Sequence, residues 1–572
     1  MPPTHDAAFA LLRDPRVREE PAETTARRID RLLRAAARDP DLLLRLHDRL
    51  LFLLAYPPSE RVRRRAERAL AAIPGVVAKL TGRGVDLSPF DEPEVAGVAG
   101  TTIATDFSFD LARWLAARHP GRVAIEWGVP RADERMRATW PSFVPLLEEE
   151  ALADANVPYD AWLEAAAGRP EPRAAWLLDR YDRLPFSPPE RAERWDALGV
   201  SVAWNLASSR ASRTFMRRPG PPRFLHREPL LTRRDVSLAR VFESPRLSIR
   251  RLSRKEGRRV CDMVREATAA RYREFYTFTY ADPSSVLAAR PGRGVEIFLM
   301  GVAPERRLPL RSAYGGFVVK NGVPVGYIEG LAFFERLEIG FNLYYAFREG
   351  ESAWIYAQVM KLHRDALGVT SFSIDPYQLG FENDEAIASG AFWFYRKLGF
   401  RPTDPGVARL VAREEERLSA DPSYRTPERL LRRLVSHNLL YEVPGTASGA
   451  WDRFHVRNLG LEVNRRMARG FGGSAGAIRA AAARRVAKAL DVRPAALSPL
   501  ERRAFESFAL VLDEVPDLPR WTRSERRAVV EILRKKAGGA ESRYLRLLQR
   551  HPRLRAALIA LGSPKGRRVR RS

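Results

Sequence analysis

The chain has 572 residues, 45% of them hydrophobic, which is more than one hydrophobic core can organise and implies about three or four domains of roughly 100–200 residues. The longest early apolar run, LLFLLAY at 50–56, falls far short of the roughly 20 residues that span a bilayer, and Met1 to Glu20 carries charges where a secretory apolar segment would lie, so a cytoplasmic location without a membrane partner is expected. Cys261 is the only cysteine, which excludes an internal disulfide and multi-cysteine zinc patterns, and the eight histidines form no HxH or HExxH arrangement, so no metal site is expected.

The formal net charge is +27, yet only nine of the 97 basic residues are lysine, a bias that GC-rich coding alone would produce. The distribution says more. Residues 451–572 hold 29 Lys and Arg against 11 Asp and Glu, two-thirds of the whole excess in about a fifth of the chain. Such asymmetry points to an anionic partner, RNA or DNA, through clusters such as Arg484-Arg485-Lys488, Arg534-Lys535-Lys536 and Arg567-Arg568-Arg570-Arg571. The alternative is a solvated or internally paired surface.

In chain order, residues 1–90 read as a helical region, with apolar residues at helical spacing in DPDLLLRLHDRLLFLLAY and ERVRRRAERALAAI. Residues 91–240 read as a mixed α/β region of unknown role. Within it, small residues and glycines from Gly97, a helix at 108–118 and a short strand ending at Glu126 suggest either a nucleotide-binding βαβ unit or an ordinary αβ packing unit, and the glycines lack GxGxxG spacing.

Residues 245–410 carry the clearest pattern. LSIRRLS at 247–253 predicts a strand, 254–275 an amphipathic helix, and GVEIFLMGVA a second strand. GGFVVKNGVPVGYIEG predicts a hairpin turning at Asn321-Gly322. A strand at RLEIGFNLYYAF, the turn REGES, a helix AWIYAQVMKLHRDAL, a strand SFSIDPYQL and a helix running into Tyr395 complete the order β-α-β-β-β-β-α-β-α, a mixed sheet with helices on its faces.

Three segments here resemble the GNAT superfamily of acyl-CoA-dependent N-acyltransferases: the KNGVPVGYI hairpin, the strand–turn–helix LYYAFREGESAWIYAQVM, and AFWFYRKLGFRP, which matches the family ending A-x-x-x-Y-x-K-L-G-F. The resemblance implies a GNAT-like domain flanked by largely helical regions, acetyl-CoA or another acyl-CoA as cofactor, and an amine acceptor whose identity the sequence does not give. By the same resemblance Tyr395 is the proton donor to the departing thiolate, with core packing among Phe392 and Phe394 as its other reading. The base is a carboxylate on the strand before the cofactor turn, Glu338 first, with Glu329 and Glu335 competing and a solvated edge position as the alternative for each. The cofactor turn draws on Tyr345, Arg348, Gly350, Ser352 and Ala353, whose amides would wrap a pyrophosphate. Glu351 occupies the place where the family has glycine, so a carboxylate there is expected to repel phosphate, and Ala388 stands where an asparagine is frequent. A second function class follows from that departure: a non-catalytic GNAT-like protein whose basic C-terminal helices engage nucleic acid.

Residues 411–572 read as an arginine-rich helical region ending in the cationic tail SPKGRRVRRS. Thr426-Pro427-Glu428 and Ser498-Pro499-Leu500-Glu501 mark helix starts. Gly472-Gly473-Ser474-Ala475-Gly476 formally matches a GxSxG nucleophile elbow, but it opens a helix without a buried strand before it, which favours a turn.

Overall fold

Three helices open the described part of the chain, α1 (Ala22–Ala36), α2 (Pro40–Ala55) and α3 (Glu60–Gly82), with Asp39 and Ser59 capping the latter two. The computed structural model describes residues 22–126, 165–168, 173–220, 223–421, 423–446 and 449–563. Most of the charged start and the basic tail with Arg567, Arg568, Arg570 and Arg571 lie outside these. The apolar faces of the three helices do not form a bundle of their own. Ile29, Leu43, Leu50, Leu70 and Val77 belong to one continuous core with the strands of the large sheet.

The next unit is small and separate in its core. Strands β1 (Thr102–Thr105), β2 (Val123–Glu126) and β3 (Ser201–Asn205) form an antiparallel sheet in the order β1-β3-β2, with helices α4 (Phe109–Arg118), α5 (Arg173–Asp182) and α6 (Pro188–Asp196). The predicted helix and the strand ending at Glu126 are present, but β3 lies between β1 and β2 and runs against both. A nucleotide-binding βαβ unit needs parallel neighbouring strands, so that alternative is overturned. Gly97 has φ +88 and abuts the Ala270 carbonyl, where a Cβ would come within 2.4 Å. Close packing, not a ligand, explains the glycine.

A nine-stranded mixed sheet follows, with order β11-β12-β10-β9-β8-β7-β6-β5-β4. Its strands are β4 (Ile249–Arg251), β5 (Leu287–Gly292), β6 (Val295–Gly301), β7 (Ser312–Lys320), β8 (Val323–Phe333), β9 (Arg336–Leu343), β10 (Ser371–Ile374), β11 (Arg401–Pro402) and β12 (Leu439–Glu442). Only the β9–β10 contact is parallel. β6 and β7 are buried along their whole length, so both faces are covered and the sequence shows no alternation there. The β7–β8 turn has φ +49 at Asn321 and +85 at Gly322, the doubly positive pair that a two-residue hairpin matched to strand twist requires. Helices α7 (Arg254–Ala269), α8 (Ser352–Leu367) and α9 (Ala391–Lys397) fall within the predicted order, and Cys261 is buried in α7.

β12 lies beyond residue 410 and enters the sheet between β10 and β11, so the sheet region extends into what the sequence assigned to the helical C-terminal region. Six helices between Val456 and Gly562 then pack around Trp451, Phe505, Phe508, Tyr544 and Leu548. Phe333 and Phe334 of the β8–β9 turn and Leu440 of β12 reach into that core. Ser474 caps the helix Ala475–Leu490 by accepting from Ala477 N, which settles the GxSxG match as a turn between helices. Many C-terminal cations are committed internally: Arg466 and Arg485 meet at Asp513, Arg553 pairs with Asp517, Arg555 with Glu335, and buried Lys536 with Glu541.

Asn321 joins three of these parts. Its amide donates to Ala55 O at 2.8 Å and Phe224 O at 2.9 Å, and its carbonyl oxygen accepts from Phe224 N at 2.8 Å. Asn321→Ala removes these bonds and keeps the positive φ, and is expected to cost about 2–4 kcal/mol of unfolding free energy. Urea denaturation of the full chain checks this value.

Candidate active site

The one parallel contact is short. β10 pairs with β9 only through Ser371–Arg336, Phe372–Leu337 and Ser373–Glu338. Beyond this, β10 ends at Ile374, and Asp375 accepts from Tyr377 N at 3.0 Å to start the one-turn helix Pro376–Leu379. β9 runs on to Leu343, so from Gly340 to Leu343 it has a strand partner only on its β8 side. A wedge-shaped groove of about 450 Å³ opens at this divergence. Tyr327 and Glu329 of β8, Arg273 and Phe275 after α7, Arg348, Ser352 at the start of α8, and Gln378 beyond β10 line it, with Phe394 and Tyr395 of α9.

Tyr395 is packed among aromatic rings and also lines the groove. Its ring packs against Tyr356, Phe394 and Phe400 with centroids 5.2 to 5.7 Å apart, and the same residue reaches the groove. Burial pushes the hydroxyl well above the usual phenol range, so the proton stays on oxygen.

The acidic candidates separate. Glu338 faces a second cavity of about 580 Å³ beside Arg311 and Arg336, at 3.6 and 3.9 Å, and does not share the groove with Tyr395. Glu335 is held by Arg555 and by Trp451 Nε1 at the edge of the C-terminal helices. Glu329 does share the groove. It stands opposite Gly340 in the β8–β9 register, so no neighbouring side chain on β9 covers it. Burial raises its carboxyl above the ordinary range, with a weaker opposing pull from the Thr277 hydroxyl.

At the cofactor turn the expected set divides as well. Arg348 donates to Glu385 at 2.7 Å and to Leu343 O at 3.3 Å, and its guanidinium lies 3.7 Å from the Tyr345 ring centroid, so Tyr345 is a partly exposed platform for Arg348. The Gly350 amide is already given to Phe347 O at 3.0 Å. A Cβ on Gly350 would come within 2.4 Å of the Tyr56 hydroxyl, so this glycine admits α2 instead of a phosphate. Ser352 and Ala353 differ from Gly350 in position. Their amides stand in the first turn of α8, where no intrahelical acceptor exists, and no side chain caps that end.

The Glu351 carboxylate, expected to repel phosphate, is turned inward and fully buried against cationic partners. One oxygen accepts from Arg293 and from Leu231 N, the other from Lys320 Nζ at 2.9 Å, while the Glu351 amide donates to Tyr56 Oη at 3.3 Å. Burial alone would raise this carboxyl, but Arg293, Lys320 and the Leu231 amide outweigh it and hold it down to about 2. Ala388 sits in the short helix Asp384–Ala388, which Asn383 caps from within the groove lining.

Glu329 could be preferred over Glu338 from sequence only by knowing that β10 stops three pairs into its contact with β9. Arg273 gave no signal at all. Comparison with protein-family models, curated proteins and solved structures returns no match for this chain.

Glu351→Ala leaves Lys320 and Arg293 without their buried counter-charge and is expected to lower stability by about 3–5 kcal/mol. A carboxyl held near 2 in the fold and near its ordinary 4.5 when unfolded releases its stabilisation as pH falls. The advantage of the wild type over Glu351→Gln should therefore be complete above about pH 4.5 and vanish toward about pH 2, as chemical denaturation across that range measures.

Proposed function

We propose that the sheet region is an acyl-CoA-dependent N-acyltransferase of GNAT type that transfers an acyl group to an amine. The observation that carries this reading is the groove between β9 and β10, lined by Ser352 at the open first turn of α8, by Tyr395 and by the half-buried Glu329. Ser352 and Ala353 would hold the cofactor's phosphates with main-chain amides at the positive end of a helix dipole, with the thioester carried along the free edge of β9. The bound acyl-CoA supplies the activated carbonyl carbon.

Glu329 takes the proton of the entering ammonium, directly or through water. The amine nitrogen would then form its bond to the carbonyl carbon as the carbon–sulfur bond breaks, losing its second proton to solvent, while Tyr395 gives its proton to the sulfur and recovers one from solvent. The net proton released is the one Glu329 passes to water. A carboxyl kept above its ordinary range is a stronger base than an exposed one, which suits this task. The inward position of Glu351 supports cofactor binding by removing the charge that the sequence set against it.

Calorimetric titration with acetyl-CoA and longer acyl-CoAs is expected to give saturable heat, and none at millimolar concentration would refute the proposal. Tyr395→Phe should reduce kcat by about 10²-fold with little change in melting temperature. Because the base must be ionised, wild-type kcat/KM should rise with pH through a pKa above 4.5, and Glu329→Gln should abolish that acid limb in the pH–rate profile.

A further inference from the structure

The groove holds two opposite charges that do not meet. Arg348 is tied to Glu385, and Glu351 to Lys320 and Arg293. Arg273 and Glu329 remain: among the described residues neither forms an ion pair within 4.0 Å, although both line the same groove. Arg273 follows the end of α7, its main chain fixed by donation to Thr268 O at 3.0 Å, and its side chain is half-buried with no hydrogen-bond partner among the described residues. Phe275 and Tyr327, with ring centroids 4.6 Å apart, form the apolar wall of the same stretch.

Arginine is seldom left so. A partly desolvated guanidinium presents five N–H groups in a fixed fork that suits a carboxylate, and Arg348, the other guanidinium lining the groove, has one in Glu385. An unpaired carboxyl and an unpaired guanidinium in one cavity of about 450 Å³ are complementary to a ligand carrying both charges in the opposite sense. We infer that the acceptor is a small zwitterionic amine of the amino-acid type, its carboxylate held by Arg273 and its ammonium presented to Glu329. This rests on the acyltransferase reading above. Arg273 is a specificity residue in it, since it selects which amines reach Glu329 and takes no part in bond making.

The test uses the full chain, acetyl-CoA, the common amino acids and their C-terminal amides, with thiol release as readout. At least one amino acid should exceed its own amide in kcat/KM by about tenfold or more. Arg273→Ala should raise KM for that acid by about 10- to 100-fold, Arg273→Lys should recover part of the loss, and the acid-over-amide preference should disappear in Arg273→Ala. Arg273→Gln serves as the second neutral variant should Arg273→Ala lower the melting temperature. Equal use of acids and amides overturns the inference, as does an equal loss on both. A tenfold weaker calorimetric affinity of Arg273→Ala for acetyl-CoA also overturns it, by placing the guanidinium on a cofactor phosphate. If acetyl-CoA does not bind the wild type, the acyltransferase reading falls separately. Titration of the same amino acids without cofactor then decides the inference: binding that Arg273→Ala removes upholds it, and absence of heat from all of them ends it.

Discussion

A carboxylate with no exposed surface would ordinarily be among the costliest groups in a protein, and the structure around Glu351 is arranged to keep it charged. Lys320 arrives from the end of β7, Arg293 from the turn before β6, the Leu231 amide from the segment leading into the sheet, and the Tyr56 hydroxyl from the end of α2. Three stretches thus share one charge at the start of α8, while the Tyr56 hydroxyl of a fourth accepts from the Glu351 main-chain amide. Removing any partner leaves others buried without compensation, which makes the arrangement all-or-none in the way buried ionic clusters are. α8 begins directly after this buried carboxylate, at Ser352, with no side chain capping its first turn.

The second constraint is one of length. β9 has eight residues and β10 four, and their parallel register spends only three pairs. The sheet therefore cannot remain closed on the upper half of β9. Chain leaving β10 is turned aside by the Asp375 cap, and the segment from Pro376 to Ala391 folds over the opening, so that side chains from β8, α8 and α9 confront one another across a gap and not across a hydrogen-bonded ladder. Gly340, opposite Glu329, brings no side chain of its own to the gap, and the Gln378 side chain lies against it.

What the sequence revealed and what it hid follow from the range of the forces involved. The Asn321-Gly322 hairpin, the capping box at Ser498 and Glu501, and the helix ending at Tyr395 depend on local backbone chemistry and were legible. β5 was hidden by Pro291 and a bulge between Ala289 and Gly292, and β12 by its four residues set among helical segments. The partners of Glu351 were hidden because Lys320 and Arg293 lie 31 and 58 residues away in the chain. Glu338 was placed ahead of Glu329 by its position on the strand before the turn, and only the point where β10 departs puts Glu329, and not Glu338, in the groove with Tyr395. The crowd of C-terminal arginines is a similar case, for Asp513, Asp517 and Glu335 absorb charges that composition counts as free.

The end of α7 belongs to two cores at once. Ala269 and Ala270 are buried in the small three-stranded unit, with Gly97 pressed against the Ala270 carbonyl, while Val260, Cys261 and Val264 earlier in the helix are buried against the large sheet. Three residues past Ala270 the chain reaches the groove wall at Arg273. The small unit is therefore the anchor of a short lever whose free end is that wall. A rigid displacement of the unit moves the wall by a comparable amount, because no flexible linker intervenes to absorb it. A molecule that gripped and shifted the three-stranded sheet would therefore shift one wall of the gap, and by thermodynamic reciprocity a molecule filling the gap would alter that grip to the same degree.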